Sequence, residues 1–170
     1  MKKALLAILV LLSVSAFSFD TIPLQIGLWA PRVQIVPDEI NVAGLKLNLP
    51  YGGNKNITGI DLGFASTSEY TSALQLNLIL NQASEQFSGV QAAIVNHAER
   101  SEWFSLGIVN ITGDRARGIQ FGALNSTMEM RGLQVGLINY AELMTGVQIG
   151  LANIIRESPV FFFPFINFCF

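Results

Sequence analysis

The residue types that ordinarily carry catalysis or metal binding occur in this chain without the company they need. His97 is the sole histidine and Cys169 the sole cysteine among 170 residues. A His-based metal site or a His-dependent triad could contain only His97, and no cysteine or acidic partner stands at ligand spacing from it. The carboxylates Asp114, Glu129 and Glu142 fall in variable stretches and form no pair suited to acid–base work. Gly52-Gly53-Asn54-Lys55 reads as a turn, because neither the spacing nor a following Ser or Thr makes it a phosphate loop. Calcium-binding nonapeptides need a series of aspartates that is lacking, and an ice-binding solenoid would want regular threonine rows, whereas Thr58, Thr112, Thr127 and Thr145 do not all share one position in the unit. No catalytic, cofactor-binding or metal-ligating residue is assigned, and the expectation is a protein that is not an enzyme and carries no cofactor.

What does recur at regular spacing is amides. Asn96, Asn110, Asn125, Asn139 and Asn153 follow one another at 14 or 15 residues, and the series Gln75, Gln91, Gln120, Gln134 and Gln148 follows at 14 to 16, with one unit skipped after Gln91. They belong to a repeat whose clearest copies are Gly118-Ile119-Gln120-Phe121-Gly122-Ala123-Leu124-Asn125 and its successors starting at Gly132 and Gly146. Weaker copies start at 44, 59, 73, 89 and 103, so about eight units fill most of the chain. Identical amides stacked at the strand spacing can bond to one another in ladders, a structural role that needs no ligand. Asparagine also tolerates the left-handed conformation, so each Asn is expected to mark a corner between two short strands.

Inside a unit, Leu133, Val135 and Leu137 alternate with Gln134, Gly136 and Ile138, the period of two that defines a strand. A helix would carry two glycines in every unit, at about 1 kcal/mol each against alanine. The second half of each unit, such as His97-Ala98-Glu99-Arg100-Ser101-Glu102, reads as a turn and a solvent-facing strand. A single unit cannot hide its apolar strand face, so neighbours must cover one another. The expected fold is therefore all-β, a parallel β-solenoid of about eight 14-residue coils with the aliphatic face, Val135 included, turned inward. Glycines such as Gly122, Gly136 and Gly150 would allow close backbone approach.

The ends of the chain read differently. Lys2 and Lys3, the apolar run Ala4 to Leu12 and a small-residue stretch suggest a secretory signal peptide over residues 1–18. Residues 19–43, off-period and containing Pro23, Pro31 and Pro37, are expected to cap the first unit of the repeat domain 44–158. Residues 159–170, rich in phenylalanine, would cap the last, with Cys169 packed rather than reactive. A lone cysteine forms no intrachain disulfide. The formal charge of −2, with no basic cluster, argues against nucleic acid as a partner.

The units ending in Gly146-Val147-Gln148-Ile149-Gly150-Leu151-Ala152-Asn153 resemble the bacterial surface-repeat family of glycine-leucine-glutamine units named from leptospiral surface proteins. The resemblance covers roughly residues 44–156; Asp61, Ser105 and the displaced Asn81 depart from it. It implies export and a location in the periplasm, outer membrane or cell surface, and carries over no functional residues. The expected role is structural or binding, toward an unknown protein or envelope component, with outer-membrane association open. The alternative is an eight-stranded antiparallel outer-membrane β-barrel acting as a small pore, which a signal peptide, eight alternating strands and a terminal Phe170 would also fit.

Overall fold

A computed structural model describes residues 20–29, 33–34 and 37–170. The expected signal peptide, residues 1–18, and part of the N-terminal cap lie outside the described residues. Among the described residues there are strands and turns and no helix. The strands are β1 (Thr21–Trp29), β2 (Val33–Gln34), β3 (Asn41–Phe121), β4 (Leu124–Val135), β5 (Ile138–Ile155) and β6 (Phe162–Cys169), joined in one sheet in the order β2-β1-β3-β4-β5-β6. The pairs β1·β3, β3·β4 and β4·β5 are parallel; β1·β2 and β5·β6, at the two ends, are antiparallel. A mostly parallel sheet is compatible with a β-solenoid, and it departs from the antiparallel alternation that a membrane barrel requires.

The register follows the repeat. Gly118 lies beside Gly132 and Gly132 beside Gly146, while Asn110, Asn125 and Asn139 align in the same way. Strand β3 has 81 residues and would be about 270 Å long if straight. It instead returns on itself, with Gly59 against Gly44, Gly89 against Ala73 and Gly118 against Trp103. At these corners the unit's first residue, Ala73 excepted, is left-handed: φ is 114° at Gly118 and 136° at Gly132. A Cβ on Gly132 would overlap the carbonyl oxygen of Gly118, so conformation and space both demand glycine. Trp103 holds the same position with φ 89° and its ring in solvent, a bulky side chain in a strained backbone region. None of the repeated asparagines has positive φ, which corrects their expected role as left-handed corners.

Inside and outside are the reverse of the expectation. The aliphatic face expected to point inward points outward: Leu133 and Val135 are half-buried and Leu137 is 55% exposed, whereas Gln134 is 0% exposed. Alternation defines two faces of a strand but not which one the chain curls around. The interior takes the face with the amides, which bond to one another along the stack. The variable half of each unit is also not simply solvent-facing. Val42, Ile57, Phe87, Ala116, Met130 and Met144, each two residues before a unit start, are buried. Ala98, Thr112, Thr127, Ala141 and Ile155 are buried opposite them, and Ala116, Met130, Ala141, Met144 and Ile155 form one apolar cluster that Cys169 packs against. The inside is thus half amide and half small or apolar, with charged side chains outside the apolar half.

Both ends are covered by strands. β1 runs parallel along the first units with Gln25 beside Lys46, and β6 lies antiparallel on the last with Asn167 beside Gln148.

Candidate functional site

The repeated asparagines stand in one hydrogen-bonded column. Each Nδ2 donates to the Oδ1 of the next: Asn81 to Asn96 at 2.9 Å, then Asn96 to Asn110, Asn110 to Asn125, Asn125 to Asn139 and Asn139 to Asn153, all at 2.8 Å. The same amide nitrogen donates to a backbone carbonyl of the following unit, as Asn125 does to Val135 at 3.0 Å and Asn139 to Ile149 at 2.9 Å. The column ends where Asn153 donates to the carbonyl of Phe163 in β6, at 3.2 Å. Space for these side chains comes from the second glycine of each unit. A Cβ on Gly136 would come within 2.7 Å of Asn125 Nδ2 and 3.1 Å of Asn139 Oδ1.

The glutamines occupy a second buried column, but it is continuous only near the C-terminus. Gln148 donates to Gln134 Oε1 and Gln134 to Gln120 Oε1, each at 2.8 Å, and Gln120 donates to Thr112 Oγ1 at 3.0 Å. This chain of donors runs opposite in direction to the asparagine column. Gln91 instead donates to Ser105 Oγ at 2.8 Å, and Gln75 to Asp61 Oδ2 at 2.9 Å.

Toward the N-terminus the glutamine column becomes charged. Lys46 and Asp61 take the position of the glutamine in their units, and both are 0% exposed. Lys46 Nζ donates to Ser66 Oγ at 2.9 Å and to the carbonyl of Gly52 at 3.3 Å, and Ser66 Oγ donates to Asp61 Oδ2 at 2.5 Å. Asp61 Oδ1 accepts from Asn48 Nδ2 at 2.5 Å. Burial lowers the Lys46 amine from its ordinary 10.5 to about 8, and the charge of Asp61 opposes the shift without cancelling it. Asn48 Oδ1 and Gln75 Oε1 lack partners within this cluster.

A lysine beside a serine hydroxyl is a pair that can do nucleophilic chemistry when a substrate reaches it. Here Lys46, Ser66 and Asp61 are sealed from solvent, so the arrangement is a buried charge pair bridged by a hydroxyl. Sequence reading missed Lys46, Ser66, Asn48 and Asn77, although Asn77 donates to Asn81 at 2.7 Å and extends the asparagine column. The available signal was the frame itself: a lysine and an aspartate at successive copies of a position that elsewhere holds glutamine. A polar cleft of about 440 Å³ lies outside this region, lined by Asp38, Glu39, Tyr51, Asn54, Lys55 and Glu69 among others.

Surface charges pair along the variable half. Glu129 lies 2.7 Å from both Arg115 and Arg131, and its carboxyl is held below the ordinary 4.5, chiefly by the Arg115 hydrogen bond. Arg156 meets Glu142 at 2.7 Å. His97 is half-buried, and among the described residues no group of three or more His, Cys, Asp or Glu could hold a metal ion. No protein-family model matches the chain, and neither a curated protein nor a solved structure does.

Proposed function

We propose that the chain is an exported, non-catalytic repeat protein of the cell envelope, a parallel β-solenoid of about eight coils that serves as a rigid binding or structural element. The observation that carries this reading is the distribution of chemistry. Groups able to react, Lys46, Ser66 and Asp61, are enclosed, while the outer surface is a regular array of aliphatic columns and paired charges. An interior of interlocked amides holds its shape without a ligand, and rigidity of that kind suits a surface that presents repeated side chains. The in-register parallel pairing supports the solenoid over the barrel, and the resemblance to leptospiral-type surface repeats points to the same envelope location.

The test is to express the chain with residues 1–18 intact, fractionate the envelope and wash the membranes with alkaline carbonate. Release into the wash is the expected result. Retention, with a gel mobility that changes on heating, would contradict it and favour an integral barrel.

A further inference from the structure

The first, third and fifth residues after each unit start carry a pattern without exception. At all 24 of these positions the residue is Leu, Ile, Val, Phe or Ala, and none is buried. They are contiguous across strands: Leu24 lies beside Leu45, Ile119 beside Leu133, Leu133 beside Val147 and Val147 beside Phe168. One face of the sheet is therefore apolar from β1 to β6. Eight unit strands with β1 and β6, spaced by about 4.8 Å and five residues wide at about 3.3 Å each, give roughly 700 Å². Monomers rarely leave an apolar patch of that size open to water, the largest on a typical monomer being about 300–600 Å².

We infer that this face binds a second copy of the same chain, packed sheet against sheet about a two-fold axis. Its area is close to the roughly 800 Å² per partner of a stable interface, and two copies supply matching faces from a single surface. The columns repeat at one spacing, so the side chains of one face can seat between those of the other, as in aligned β-sandwich packing. No charged or hydrogen-bonding side chain must be desolvated on contact. The ion pairs Arg100–Glu85, Arg117–Glu102 and Arg156–Glu142 lie off these columns and stay hydrated. A lipid surface is the poorer occupant, because no Lys or Arg stands on the columns to meet phosphate headgroups and the chain carries a net charge of −2. The inference rests on the solenoid reading above and fails separately from it: a carbonate-released monomer contradicts only the self-association.

Size-exclusion chromatography with light scattering, in detergent-free buffer over a range of concentrations, tests it. The expected mass is twice that of the chain. The double variant Phe121→Lys/Val135→Lys should be monomeric with an unchanged far-ultraviolet circular dichroism spectrum, and Met128→Lys, off these columns, should remain dimeric. Should the double variant fail to fold, Leu137→Lys, at a residue already 55% exposed, makes the same test with less perturbation. Wild type that stays monomeric at all concentrations, a face variant that stays dimeric, or a monomer that floats with phosphatidylcholine vesicles would each overturn the inference.

Discussion

The two ends of the repeat solve the same interior problem in different ways. From Gln120 to Gln148 the second buried column is a run of identical amides, each donating toward the N-terminus, with Gln120 and Gln134 also accepting from the next, and it is neutral throughout. Over the first units the same column holds Lys46 and Asp61, which need the hydroxyl of Ser66, the amides of Asn48 and Gln75 and the carbonyl of Gly52 to satisfy them. A ladder of identical groups is extended by adding another unit. A buried charge pair bridged by one hydroxyl is a local, closed arrangement that no third unit can continue. The charged end is thus the less tolerant one, because loss of either partner leaves a charge in the core.

The largest expected effect follows from that difference. Asp61→Leu should destabilise the protein by about 3–5 kcal/mol, because Lys46 is left buried without its counter-charge. Replacing both at once, Lys46→Gln with Asp61→Gln, should return most of the loss by restoring the neutral column of the C-terminal units. Urea unfolding of the single and double variants measures both, and a double variant as unstable as Asp61→Leu would remove the distinction between the two ends.

Protonation of Lys46 provides a second handle. Its amine is lowered from 10.5 to about 8 in the folded chain, so between these values the unfolded chain binds more protons. Stability from this group therefore rises as pH rises from about 8 to about 10.5, by about 3 kcal/mol in all. In the Lys46→Gln/Asp61→Gln variant that rise should vanish, as seen in unfolding midpoints across the same pH range.

In the uniform region, Asn125→Ala should cost about 2–3 kcal/mol. It strips a donor from Asn139 Oδ1 and from the Val135 carbonyl, and takes the acceptor from Asn110. Calorimetric melting of this variant beside Asn153→Ala, at the column's end, tells whether interior rungs matter more than terminal ones. Smallest should be Trp103→Gly, a gain of about 0.5–1 kcal/mol from relieving a left-handed non-glycine corner, offset in part by the freer unfolded chain.

The period and the strand alternation were legible in the sequence, since each is a matter of spacing, whereas the corners were expected at the asparagines and fall at the glycines that open most units. The choice of inner face was not. Apolar residues inside is a rule with many exceptions on a sheet whose other face can satisfy all its polar groups, and the columns of Asn125 and Gln134 do so almost completely. Gly136 held the missing clue. A glycine on the same face as Gln134, repeated at Gly122 and Gly150, marks where the asparagine side chains turn in and leave no room for a Cβ. The Lys46–Asp61 pair was hidden for a different reason: its members are 15 residues apart, and only stacking of two units brings them near Ser66.

Burial of the amides is what separates this fold from one with an aliphatic interior. Side-chain NH2 exchange in D2O, followed by nuclear magnetic resonance for Asn110, Asn125, Asn139, Gln134 and Gln148, measures that burial whatever the oligomeric state. Slow exchange, at least about a hundred-fold below that of a free amide, is the expected result, since opening the interior requires breaking the sheet. Exchange at the free-amide rate would place these side chains in solvent and return the aliphatic columns of Leu133, Val135 and Leu137 to the core.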